Sequence, residues 1–184
     1  TDMRYLFQDT IGFNQNISSW DVSSVTTMFR MFRNASSFNQ PIGDWDVSSV
    51  TTMFRMFLLA SSFNQPIGDW DVSSVTMMSS IFSNSPFNQP IGDWDVSNVT
   101  NMSNMFNRSS FNQPIGNWNV SSVTSMYGMF SATNYENNTG KFNQDISGWD
   151  VSSVADMSNM FLNSDFNQDL GNWDVSSVAD MGYM

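Results

Sequence analysis

Apolar side chains recur along this chain in two alternating rhythms. In Ile42-Gly43-Asp44-Trp45-Asp46-Val47-Ser48-Ser49-Val50 they stand at relative positions 0, 3, 5 and 8. Trp45 and Val47 are two apart, so on an extended chain they share one side, with Asp44 and Asp46 on the other. Trp and Val favour strands, and the pattern predicts a strand of about three to five residues. From Val50 the rhythm changes. Val50, Met53, Met56 and Phe57 stand at offsets 0, 3, 6 and 7, the spacing of a helical face. Ser48 or Ser49 can cap such a helix by accepting a backbone N–H. At about two to three turns it needs neighbours to hold it. Leu58 to Ser62 then read as a return loop.

The same text is then repeated. Phe-Asn-Gln recurs at Phe13, Phe38, Phe63, Phe87, Phe111, Phe142 and Phe166, at spacings of 25, 25, 24, 24, 31 and 24 residues. A tryptophan follows each, at Trp20, Trp45, Trp70, Trp94, Trp118, Trp149 and Trp173. Self-similarity at this period predicts stacked coils with like residues in columns about 4.8 Å apart. Phe38, Phe63 and Phe87 then form an apolar spine, and Trp45, Trp70 and Trp94 a second column. Asn39, Asn64 and Asn88 form a polar ladder, satisfied by turn backbone and by the coils above and below. The expected fold is an α/β repeat: a right-handed solenoid of about seven coils, with a parallel sheet on one side and short helices on the other. All of residues 1–184 read as one tandem-repeat domain. The 31-residue step comes from a loop insertion over residues 131–141, since length changes are absorbed in surface loops. Both ends read as tails of a repeat, which predicts a window on a longer chain.

Offsets 0, 3 and 5 match the leucine-rich-repeat core, although Val25, Val50 and Val75 stand at offset 8 where that repeat has Asn or Cys. The fuller signature, Phe-Asn-Gln-Pro-Ile-Gly-Asp-Trp-Asp-Val-Ser-Ser-Val-Thr-x-Met followed by Met-Phe, resembles the BspA-type surface-protein repeats, the DUF285 repeat. The resemblance covers essentially the whole chain. It implies a cell-surface location and an adhesive or structural role, and it carries no catalytic residues to transfer.

Composition narrows the function. The formal net charge is −11 and only 12% of residues are charged. This argues against nucleic acid and anionic membrane as partners. No apolar run approaches the ~20 residues of a membrane span. Histidine and cysteine are absent, which removes His-based triads, thiol nucleophiles and ordinary zinc sites. The carboxylate pairs Asp44/Asp46, Asp69/Asp71 and Asp93/Asp95 have the residue types of glycoside hydrolysis. A catalytic pair is unique, however, and this one repeats on a regular face, so the expectation is a protein that is not an enzyme. Like charges stacked across neighbouring coils repel. Solvent, raised pKa values or a weakly held Ca²⁺ on these six aspartates would relieve them. No other cofactor is expected. Arg30 and Arg55 repeat beside Phe29 and Phe54 and read as a solvated cover.

Asn-x-Ser/Thr acceptors occur at Asn16, Asn34, Asn98, Asn101, Asn107, Asn119 and Asn137. Asn34, Asn107 and Asn137 fall in return loops and are the expected glycosylation sites. The functional expectation is a non-enzymatic extracellular structural or adhesive repeat protein, part of a cell-surface rod or filament. Its expected partners are itself, stacked head to tail, or other surface proteins. The alternative is a module that recognises glycan or a partner protein on the Asp-rich face.

Overall fold

The computed structural model describes residues 1–132 and 140–184 of the chain. Successive repeats stack in register. Single parallel bridges join Asp2, Thr27, Thr52, Met77, Asn101, Ser125, Asp156 and Asp180 into one ladder that crosses every coil. Beside it, the Thr51 amide and hydroxyl both reach the Thr26 carbonyl, at 2.9 and 3.1 Å.

The predicted α/β architecture of helices and a parallel sheet is not what the chain forms. Among the described residues there is no helix and no extended strand, and pairing between coils is confined to isolated bridges. The segment expected as a helix, Val50 to Phe57, is a run of four-residue turns. The amides of Met56, Leu58 and Ala60 donate to the carbonyls of Met53, Arg55 and Phe57, three residues back. The alternate amides, of Met53, Arg55, Phe57 and Leu59, leave the coil. They donate to Met77, Ser79, Ile81 and Ser83 of the next coil at 3.0–3.1 Å. Arg55 and Leu59, third in their turns, stand at φ 57° and 62°. That is the φ signature of a type II turn and is incompatible with a continuing helix. Such a run advances its apolar residues at much the same offsets as a short helix. Met53, Met56 and Phe57 are therefore all buried even though the backbone is different.

The segment expected as a strand fails for a related reason. Trp45 and Val47 do face inward together, with Asp44 and Asp46 exposed. But the Trp45 amide turns back to the Ile42 carbonyl at 3.2 Å, and Val50 to Val47 at 2.8 Å. Two tight turns flank the tryptophan, leaving no extended backbone to form a ladder. The turn before the tryptophan is set in two interchangeable ways. Pro41, Pro66, Pro90 and Pro114 fix φ there. In the coils without proline, Asn16, Asp145 and Asp169 instead accept the amide two residues on, at 2.8–2.9 Å. The glycine that follows proline is needed where coils approach closely: a Cβ on Gly92 would lie 2.8 Å from the Pro114 carbonyl oxygen.

The core is a double column of phenylalanine. Within a coil the two rings stack tightly, 3.9 Å for Phe57 on Phe63. Between coils they continue, 6.0 Å from Phe38 to Phe63 and 5.8 Å from Phe57 to Phe82. Tryptophan, isoleucine, valine and methionine columns pack around them. In the insertion, Ser131 and Ala132 are buried and Gly140 bridges forward to Ser164 of the next coil. The middle of that expected loop, and Asn137 with it, lies outside the described residues.

Candidate functional site

The polar residues of the repeat are first of all joints between coils. Each buried tryptophan points its indole N–H at the isoleucine carbonyl of the coil before it. Trp45 reaches Ile17, Trp70 reaches Ile42 and Trp94 reaches Ile67, at 3.1–3.2 Å. Each asparagine of Phe-Asn-Gln from Asn14 to Asn143 accepts from the next coil. Asn39 Oδ1 takes the amide of Asn64 at 3.0 Å and the side-chain nitrogen of Gln65 at 3.1 Å. Asn64 does the same for Asn88 and Gln89. Phe38, Phe63 and Phe87 lie beneath this ladder, fully buried.

The two aspartate columns have different roles. Asp46, Asp71 and Asp95 fold back on the chain. Asp46 Oδ1 accepts the Ser48 hydroxyl at 2.6 Å and the Ser48 amide at 3.1 Å. Asp71 accepts both groups of Ser73, and Asp95 accepts the Ser97 amide. The serine hydroxyl, and then the serine amide, hold Asp46 and Asp95 below the ordinary carboxylate range, while the Asp21 charge pushes Asp46 weakly the other way. Local hydrogen bonding thus favours the charged form of Asp46 and Asp95 despite their stacking. Asp44, Asp69 and Asp93 are exposed and, among the described residues, accept no hydrogen bond. No group of three or more acidic side chains gathers in cation-binding geometry among the described residues. The six aspartates repeat along the stack and do not converge.

Two surface features go beyond a regular face. One is an open groove of about 660 Å³ across the later coils. Pro90, Asp93, Gln113, Asn117, Gln144 and Gly148 contribute to its walls. At its far end the column of Asp44, Asp69 and Asp93, continued by Asn117, reaches Gly148, which has no side chain to fill the space. The other is on the turn run. The Arg30 guanidinium lies 5.0 Å over Phe29 and 5.9 Å over Phe54, and that of Arg55 4.7 Å over Phe54. Reading this pair from sequence as a solvated cover missed the stacking. The signal was present in the Phe-Arg pair recurring 25 residues apart.

The acceptor asparagines are engaged. Asn34 Nδ2 donates to Asp9 at 3.0 Å, and Asn107 Nδ2 to the Ser131 hydroxyl.

No helix of the described residues is long and apolar enough to cross a membrane. The family described as "Mycoplasma protein of unknown function, DUF285" matches the chain twice, over residues 1–89 and 80–184. No curated protein and no solved structure matches it.

Proposed function

Because this chain belongs to the DUF285 family, a repeat family without an assigned function, we propose that it is a non-enzymatic structural or adhesive repeat of the extracellular cell surface. The observation that carries this reading is where the polar side chains go. Tryptophan, asparagine and glutamine hold one coil to the next, coil after coil. An enzyme gathers polar groups at one point, whereas this chain distributes them along an axis. The resemblance to BspA-type repeats supports the surface location. Each coil rim presents the donors and acceptors that the next coil uses, so stacking on itself or on similar surface proteins is the natural mode of association. Surface biotinylation of intact source cells tests the reading. Labelling equal to that of a known surface protein is expected, and labelling only after lysis overturns it.

The groove at Pro90 to Gly148 supports a second reading, a module that takes a glycan or peptide at its floor. Its glutamines leave their carbonyl oxygens available, because Gln113 and Gln144 use their nitrogens on Asn88 and Asn112. Saturable glycan binding that is abolished by Gly148→Trp would favour it over the structural role.

A further inference from the structure

Charge is segregated around the coil. Four of the six cations, Arg4, Arg30, Arg33 and Arg55, fall on the first turn runs. Two are already neutralised: Arg33 meets both carboxylate oxygens of Asp9 at 3.0 and 3.1 Å, and Arg4 is paired with Asp2. Arg30 and Arg55 have no carboxylate partner among the described residues. Their Nε atoms are buried without a hydrogen bond, whereas their terminal nitrogens are not. Phe29 and Phe54 stack on each other at 5.0 Å, and each carries a guanidinium over its ring. Both arginines stand in the left-handed region, at φ 55° and 57°, which costs an L residue about 1–2 kcal/mol. The equivalent position is left-handed in the other coils too, at Tyr5, Ser80, Asn104, Gly128, Asn159 and Tyr183, so this φ belongs to the turn run itself.

Half a coil away is a complementary column. Asp44 lies 14 residues after Arg30 and 11 before Arg55, so in a 25-residue coil it is on the opposite side. Asp44, Asp69 and Asp93 are exposed and unbonded among the described residues. The column loses its charge beyond them, at Asn117 and Gly148. Arginines and aspartates therefore share one pitch, because each recurs once per coil, and they occupy the same part of the stack.

We propose that a second copy of this chain docks side by side on the arginine face, with Arg30 and Arg55 of one copy gripping carboxylates of the Asp44–Asp69–Asp93 column of the next. The planar guanidinium fork suits carboxylates, and the rings beneath pre-orient it. The two surfaces are different, so the contact is face to back. It does not close on itself, and repeated it gives a lateral array. This goes beyond stacking along the axis: it joins rods sideways.

Charge reversal tests it, with sedimentation velocity of the 1–184 chain as the readout. The wild type should self-associate at low salt and dissociate as salt screens the pairs. Arg30→Glu/Arg55→Glu alone and Asp44→Lys/Asp69→Lys/Asp93→Lys alone should each weaken association by about tenfold or more. An equimolar mixture of the two should restore it, because each variant then meets its complement. Should the arginine-reversed variant fail to fold by near-ultraviolet circular dichroism, Arg30→Gln/Arg55→Gln replaces it for the loss of association, which it should also show. A wild type that stays monomeric at low salt overturns the proposal. So does association that neither variant weakens, or a mixture that fails to associate. Binding of an acidic polysaccharide at Arg30 and Arg55 in a chain that does not self-associate would likewise assign the face to a different occupant.

Discussion

The two sides of each coil are joined to their neighbours by different chemistry. On the tryptophan side the joint is made by side chains. The Trp94 indole and the Asn64 carboxamide each complete a bond that the backbone cannot make there. On the methionine side the backbone makes the joint itself, through alternate amides such as Met53, Arg55 and Phe57. Sequence freedom follows the same division. Tryptophan and asparagine stand in all seven repeats. The corresponding pair in the turn run varies freely, whether exposed, half-buried or buried: Phe54-Arg55 becomes Ser79-Ser80, Ser103-Asn104 and Tyr127-Gly128. A side chain that carries the hydrogen bond cannot be exchanged. A side chain attached to a backbone that carries it can.

The largest expected effect breaks the tryptophan side. Trp94 is 3% exposed. Trp94→Ala should cost about 3–5 kcal/mol in urea unfolding, for the cavity and the lost bond to Ile67. The same unfolding assay on Ser80→Ala, in the turn run, should shift stability by less than about 0.5 kcal/mol. Comparable losses at both sites would erase the distinction.

Next in size is the asparagine ladder. Asn64→Ala strips the partner from the Asn88 amide and from Gln89, and should cost about 1–3 kcal/mol. Amide hydrogen exchange at Asn88 should accelerate while exchange at Phe57 stays slow. Unchanged exchange at Asn88 would show that the ladder bond is not structural.

A glycine pair isolates the close approach of neighbouring coils. Gly92→Ala brings a Cβ to 2.8 Å from the Pro114 carbonyl, whereas at Gly148 nothing lies within 4 Å. The first substitution should lower stability by about 1–3 kcal/mol and the second by less than about 0.5 kcal/mol. Equal melting temperatures for the two variants would contradict this spacing.

On the turn side the smallest change should be a gain. Leu59 is 39% exposed and stands at φ 62°. Leu59→Gly relieves a left-handed leucine and should stabilise by up to about 1 kcal/mol. A clear loss would mean that the leucine packs more than its exposure indicates.

Acid tests the serine-capped aspartates. Asp21, Asp46, Asp95, Asp150 and Asp174 are all held below the ordinary range, first by the serine hydroxyl. A depressed folded pKa gives stability that is complete above the unfolded value, about 4, and is lost as pH falls through the folded value. Melting temperature should therefore be flat from neutral pH to about 5 and fall below about 4. A rise in that window would show that relief of charge repulsion dominates instead.

These effects also mark what could be read from the residues alone. The repeat, its period and its columns follow from the recurrence of Phe-Asn-Gln and Trp, because any stacked structure aligns like with like. The backbone path was not legible. Offsets 0, 3, 6 and 7 from Val50 fit a helix face and a run of tight turns with left-handed residues at Arg55 and Leu59 equally well. The residues that choose between them, Arg55 and Leu59, are not ones that favour positive φ. Likewise, Trp45-Asp46-Val47 reads as a strand by alternation, but Pro41 and Gly43 close one turn before it and Asp46 with Ser48 opens another after it. The Asp46 column looked like one more exposed acidic row because its serine partner is local and common. The Arg30–Arg55 pair looked solvated because a guanidinium over a ring leaves no spacing signal beyond the Phe-Arg repeat itself.

The central claim is that the Met53–Leu59 segment is hydrogen-bonded forward to the next coil and is not a helix. Scalar couplings across hydrogen bonds, measured by nuclear magnetic resonance, read this directly. The amides of Met53, Arg55 and Phe57 should correlate with the carbonyls of Met77, Ser79 and Ile81. Correlations from Arg55, Met56 and Phe57 to carbonyls four residues back would restore the helix and contradict the account.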